Sequence, residues 1–339
     1  MDEHLYRQHN HVVRKLVFIG VLLALVVVTL GAYTRLTHAG LGCPDWPTCY
    51  GLINAPETVE QIALAEQNYP HSQVDPLKAW NEMIHRYFAG LLGLVILVIA
   101  VLSVKNRAQG TPLRLPLLIL VIVIFQAALG MWTVTMKLMP IVVMGHLLGG
   151  FTTLCLLFLL YLRLNPHRIN RSDFSVKKYG RFALLGIILL TGQIALGGWT
   201  SSNYAALSCV ELPICQSGWQ SKMNFKSAFK LIPPKRESYE FGHLSHDERV
   251  TIHVVHRFGA IIITLYLTWL LMTVYLRAQT STFKTSAAVV GLALITQVAL
   301  GVSNVWFSLP LTIAVGHNLV AACLMLALIA LTYRLRRKI

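Results

Sequence analysis

Eight stretches of mostly apolar residues, at 16–33, 83–104, 115–135, 141–161, 182–200, 252–276, 285–307 and 311–333, leave this 339-residue chain few ways to fold. A segment crossing hydrocarbon must satisfy its backbone polar groups without water, so only helices and closed barrels span a membrane. Runs of about 20 residues suit helices, whereas barrel strands are about half as long. Charged residues make up 13% of the chain, about half the share of a soluble domain. The sequence therefore predicts an all-α integral membrane protein with eight transmembrane helices. The first run, from Leu16, lacks a small-residue cleavage site and is long enough to stay as a span.

The formal net charge is +15. That would suit a nucleic-acid binder if the basic residues formed one surface, but they sit in short clusters between apolar runs. Arg7, Arg14 and Lys15, then Lys105, Arg107 and Arg114, then Arg163, Arg168, Arg171, Lys177, Lys178 and Arg181, then Arg277 and Lys284, then Arg334, Arg336, Arg337 and Lys338 all fall on one side of an eight-span chain. The excess of Lys and Arg marks that side as cytoplasmic, with both termini on it. The large loops 35–80 and 201–249 then lie outside. The second of these is itself basic, at Lys222, Lys226, Lys230, Lys235 and Arg236, but long loops cross largely regardless of charge.

The chain repeats itself. Glu82-Met83-Ile84-His85-Arg86 opens the second run, and His253-Val254-Val255-His256-Arg257 opens the sixth, 171 residues later. Gln126–Gly130 matches Gln297–Gly301, and Gly145-His146 matches Gly316-His317, at the same offset. Tyr33-Thr34 matches Trp199-Thr200, and Cys43 and Cys49 match Cys209 and Cys215, each 166 apart. A Leu-Gly-x-aromatic-Thr echo ends the first, third and fifth runs. Four spans per half is an even number, so the halves are expected to be parallel four-helix bundles, 1–165 and 166–339, related by an axis along the membrane normal.

Ionisable groups inside a span are costly and default to a functional reading. Glu82 and His85, three apart, share a helix face. His85, His146, His256 and His317 all lie one or two turns into runs that enter from outside, so they share one depth. A lone histidine is usually a hydrogen-bonded core residue, but four at repeat-related positions in hydrocarbon are expensive without a ligand. A structural zinc asks for four ligands and a catalytic zinc for three, whereas each half offers two imidazoles. A haem needs only axial ligands from the protein. Gly90, Gly93, Gly145, Gly149, Gly150, Gly259 and Gly316 leave room for a flat ring, though small residues also serve plain helix packing. No Cys-x-x-Cys-His occurs, which excludes covalent c-type attachment. Arg86 and Arg257, each after a candidate ligand, could pair with propionates or simply snorkel to the interface.

Cys43 and Cys49 flank Pro44-Asp45-Trp46-Pro47-Thr48, and Cys209 and Cys215 flank five residues likewise. Both pairs fall in the outer loops, where disulfides persist. A bridge in either pair would close a small ring and act as a staple, with a redox role as the sharper alternative. Cys155 and Cys323 lie within spans and read as small apolar residues.

Gly31-Ala32-Tyr33-Thr34-Arg35-Leu36-Thr37-His38-Ala39-Gly40-Leu41, followed by Cys-Pro-Asp-Trp-Pro, resembles the haem A synthase family. The resemblance extends over nearly the whole chain, through Glu-x-x-His-Arg in the second span and Gly-His in the fourth and eighth. It implies oxidation of a ring methyl of haem O to a formyl group by successive hydroxylations, for haem–copper terminal oxidases. It also implies a haem b cofactor on His256 and His317, substrate haem at His85 and His146, and a functional role for Glu82. The residues favour the same division. Glu82 stands where the second half has His253, and a carboxylate beside a haem edge can take a proton or stabilise a developing cation.

The rival readings are a di-haem b-type electron-transfer protein, which leaves the Glu82/His253 difference unexplained, and a transporter, which predicts broken helices at mid-membrane. Pro140 and Pro310 instead sit at short turns between spans. The electron donor is not named by any motif. Surfaces for the upstream farnesyltransferase that makes haem O, for oxidase assembly factors or for a second copy of the chain are compatible with the resemblance, but no residue pattern carries them.

Overall fold

The computed structural model describes residues 3–165 and 171–337. The described residues are helical apart from loops and form no β-strand. The α-helices are α1 (Glu3–Leu36), α2 (Val59–Asn68), α3 (Pro76–Lys105), α4 (Arg114–Thr135), α5 (Pro140–Leu164), α6 (Gly180–Ser202), α7 (Phe225–Ala228), α8 (His246–Arg277), α9 (Ser281–Trp306) and α10 (Leu311–Arg336). Eight segments, all but α2 and α7, are long and apolar enough to cross a membrane. Only 22–39% of each apolar window is buried inside the protein. Leu94, Val121, Ile124, Leu265, Leu292 and Ile295 are all exposed, as expected where lipid rather than water is the solvent.

Local signals explain the helix starts. Asp75 accepts from the amides of Leu77 and Lys78 at 3.1 Å, with Pro76 in the first turn of α3. Ser245 and Glu248 form a capping box that starts α8 six residues before the apolar run begins. Helix α1 also extends past its run, through Arg14 and Lys15. Lys137 and Leu138, and then Ser308 and Leu309, adopt left-handed φ between 50° and 64° in the α4–α5 and α9–α10 turns. His38 and Tyr204 do the same after α1 and α6, at 52° and 54°. In each of the latter, the residue that follows, Ala39 or Ala205, donates its amide to Thr34 or Thr200 at 2.9 Å.

The chain divides into two compact units. One runs to Leu160 and takes in Ile232–Phe241; the other comprises Tyr161–Leu231 and everything from Gly242. The expected division at 165 and 166 falls where description stops, residue 166 lying outside it. In the first unit α1 packs on α3, with Gly20 against Val95, Ile99 and Leu157. In the second, α6 packs on α8 and α10, with Gly186 against Leu267 and Leu328. The segment Ile232–Phe241 joins the first unit through Tyr239, which is buried and donates its amide to the Lys137 carbonyl at 3.0 Å. Its Phe241 ring lies 5.3 Å from that of His38.

Candidate functional site

In the first unit, α3 carries Glu82, His85 and Arg86, and α5 carries His146. The His85 and His146 rings stand edge to face, their centroids 6.4 Å apart and planes 85° apart. Each ring rests on a glycine of a neighbouring helix. A Cβ on Gly31 of α1 would lie 3.1 Å from Cε1 of His85, and one on Gly130 of α4 would lie 3.3 Å from Cε1 of His146. Glycine inside a helix costs roughly 1 kcal/mol against alanine, so these positions trade helix stability for close approach. Both rings are half-buried, and both Nδ1 atoms are buried without a hydrogen-bond partner.

The second unit repeats the cradle. His256 of α8 lies against Gly197 of α6, at 3.3 Å from Cε1 to the position of a Cβ, and His317 of α10 lies against Gly301 of α9, at 3.1 Å. The Nε2 of Gln193 donates to the His256 carbonyl at 2.9 Å and lies 3.1 Å from its Nδ1. The Nε2 of Gln297 lies 3.3 Å from the His317 Nε2. His253, in the position corresponding to Glu82, is buried and donates through Nδ1 to the Ala205 carbonyl at 3.0 Å.

Two imidazoles, of His85 and His146, converge in the first unit. Among the described residues no group of three or more His, Cys, Asp or Glu side chains is placed to hold a metal ion. A pair of nitrogens suits a metal that brings its own in-plane donors, as a haem does. Metal–imidazole bonds of about 2 Å on each side, plus the ring radii, put two axial imidazoles roughly 6 Å apart between centroids, which the 6.4 Å separation of His85 and His146 meets. The residues therefore fit a haem on chemistry and on spacing.

Glu82 lies one turn from His85 and is buried. Its Oε1 takes Arg86 Nη2 at 2.5 Å and its Oε2 accepts the Cys43 amide at 2.9 Å. Arg86 also donates through Nη1 to the carbonyls of Asp45, Pro47 and Thr48 at 3.0, 3.2 and 2.7 Å. Those carbonyls belong to the loop closed by the Cys43–Cys49 disulfide. Arg257 does the same for the Cys209–Cys215 loop, donating to the carbonyls of Cys209 and Glu211 at 2.5 and 2.6 Å and to that of Ile214. Both cystine pairings expected from the spacing are thus present. The Tyr50 phenol beside the first loop is pushed up to about 12, first by burial and then by the Glu82 and Asp45 carboxylates. It donates to the Gln73 carbonyl at 3.1 Å.

The cradle glycines and the glutamines were not among the expected site residues. Gly90 and Gly93, which were, have open space where a Cβ would point. The available signal was the spacing Gln-x-x-x-Gly at 126/130, 193/197 and 297/301, which sets both residues on one helix face.

The COX15-CtaA family model, described as cytochrome oxidase assembly protein, matches residues 14–329. The chain is 51% identical over 320 residues to a haem A synthase from Shewanella oneidensis, covering 94% of this chain and 96% of the relative. It is 25% identical over 328 residues to a haem A synthase from Neorickettsia sennetsu, covering 90% and 93%. A haem A synthase from Bacillus licheniformis is 26% identical over 218 residues, covering 62% and 66%.

Proposed function

From the premise that the chain belongs to the COX15-CtaA family of cytochrome oxidase assembly proteins, we propose that it is a haem A synthase, an oxidoreductase that converts haem O to haem A for cytochrome oxidase. The observation that carries the reading at the level of residues is the facing pair His85 and His146, at a separation that accommodates one iron. The rival di-haem electron-transfer reading finds no support among these relatives.

In this reading the first unit takes the substrate. His85 and His146 hold haem O at its iron, and the glycines beneath them set how far the rings stand apart. Glu82 keeps a buried negative charge one turn from His85, where it can take up a proton or stabilise positive charge as the methyl is oxidised. Arg86 and Arg257 already hold loop carbonyls, so propionates would reach them only by displacing those carbonyls. The hydrocarbon between helices accommodates the farnesyl tail.

His256 and His317 of the second unit would hold a resident haem b, which supplies one-electron redox chemistry when bound. Gln193 orients the His256 ring, and the apolar spans around both histidines exclude water. The matched left-handed turns at Lys137/Leu138 and Ser308/Leu309, 171 residues apart, support an internal repeat; the distribution of Lys and Arg supports cytoplasmic termini and periplasmic cystine-bearing loops. Haem O reaches the site from the farnesyltransferase that makes it, through the bilayer or by contact.

The test is pigment analysis of cells that make haem O and express this chain. Haem A should appear in the acid–acetone extract and vanish with His85→Ala or His146→Ala. An extract containing only haem O and haem b would refute the assignment.

A further inference from the structure

Four imidazoles rest on four glycines, and each glycine has a partner one turn earlier on the same face. Those partners are Val27 before Gly31, Gln126 before Gly130, Gln193 before Gly197 and Gln297 before Gly301. Three cradles therefore carry an amide, and the cradle of His85 carries a branched aliphatic side chain.

The amides lie against the histidines or their helices. Gln193 bonds the His256 backbone and approaches its ring, and Gln297 approaches the His317 ring. Gln126 is buried, and its side chain fills the space over Gly149, one turn beyond His146, so that no Cβ would fit there. Gln193 likewise fills the space over Gly259, one turn beyond His256. An amide presents a donor or an acceptor after a half-turn of its last torsion, so it can serve whichever ring nitrogen a metal leaves over. Such a partner fixes the ring's orientation and makes it a stronger ligand. Val27 has no side-chain group that can do either. Since Nδ1 of His85, His146 and His317 alike lacks a partner, the difference at His85 is that its cradle helix offers its ring no side-chain amide.

We infer that His85 is the exchangeable axial position of the first unit, the bond that opens to let a haem in and out, and that Val27 is the residue that makes it so. The inference rests on the reading that the histidines hold haem. It fits what the two sites must do: a resident cofactor stays between two amide-backed imidazoles, whereas a substrate must leave after oxidation. Gln126 is then a positioning residue, keeping His146 as the fixed anchor while His85 lets go.

Carbon monoxide added to the dithionite-reduced protein reads the strength of the weaker axial bond without turnover. With haem O supplied, the wild type should give a CO difference spectrum from the haem O fraction and little from haem b. Val27→Gln should cut the CO-reactive haem O fraction about tenfold, and more haem A should co-purify with the variant. Gln193→Val should make the haem b fraction CO-reactive, an arm that needs no change in the first unit and survives if Val27→Gln fails to fold. Unchanged CO reactivity in Gln193→Val, or in a haem-loaded Val27→Gln, overturns the inference. If His256→Ala and His317→Ala leave the haem spectrum as it is, the ligand assignment has failed instead.

Discussion

A Cβ on Gly301 would stand 3.1 Å from Cε1 of His317, so the histidine sits where only glycine lets it. The same closeness recurs at Gly31, Gly130 and Gly197. Gly301→Ala should therefore have two effects of opposite sign. Alanine in a helix interior is favoured by roughly 1 kcal/mol, so the haem-free protein should unfold no earlier than the wild type. The displaced imidazole should lower haem b per polypeptide about tenfold. Haem extraction and thermal unfolding of the same preparation measure both.

The Glu82–Arg86 pair predicts a difference between two substitutions. Glu82→Gln keeps an acceptor for the Cys43 amide but removes the charge, so the protein should fold and haem A formation should fall sharply. Glu82→Ala removes the acceptor as well and leaves the buried Cys43 amide unsatisfied, which costs about 2 kcal/mol beyond the Gln substitution. Haem A per polypeptide and the unfolding temperature distinguish the two. Full turnover in Glu82→Gln would leave the carboxylate a purely structural role, holding the 43–49 loop.

All eight spans were legible as apolar runs, because lipid selects for length and hydropathy over a whole helix. Helix ends were less so. Hydropathy registers the hydrocarbon layer, whereas α8 starts at Ser245 because of a capping box, and α1 continues through Arg14 and Lys15 because charged residues do not break a helix. The four histidines and Glu82 stood out because ionisable groups in hydrocarbon are rare. The glycines beneath them did not, since a cradle is a relation between two helices and a lone glycine reads as ordinary packing. Joining of Ile232–Phe241 to the first unit was invisible for the same reason: the Tyr239–Lys137 and Phe241–His38 contacts link residues about 100 and 200 positions apart.

That segment should respond to pH through His38, which lies outside the spanning helices. Burial first, then Arg35, hold its pKa below 6.5; Glu240 works against them and Lys78 with them. With the segment docked, the ring stays uncharged at pH values where a solvated histidine takes a proton. Docking is therefore fully favoured above about pH 6.5 and weakens as pH falls through the lowered value, since the undocked state binds the proton first. Hydrogen exchange of 232–241 should rise between pH 7 and 5 in the wild type and lose that dependence in His38→Phe. An unchanged pH profile in the variant would place the effect elsewhere.

The two cystine loops should differ in how much they depend on their bridges. Closing a ring of this size contributes about 2 kcal/mol in the chain-entropy account. In the first loop Asp45 also clasps the turn, accepting from the Thr48 hydroxyl at 2.6 Å and from the Tyr50 and Gly51 amides at 2.6 and 2.9 Å. Arg86 adds three more bonds to it, as Arg257 does to the second loop, but both cysteines of the first loop are buried. In the second loop, Glu211 stands in the position of Asp45, is exposed and offers Arg257 its backbone carbonyl, while Cys215 is only half-buried. Mild reduction should accordingly raise amide exchange across 209–215 well before it does so across 43–49. Asp45→Ala should remove that difference, because the first loop would then rely on its bridge and on Arg86 alone. Equal exchange of the two loops in the reduced wild type would mean that the carboxylate clasp adds nothing to the staple.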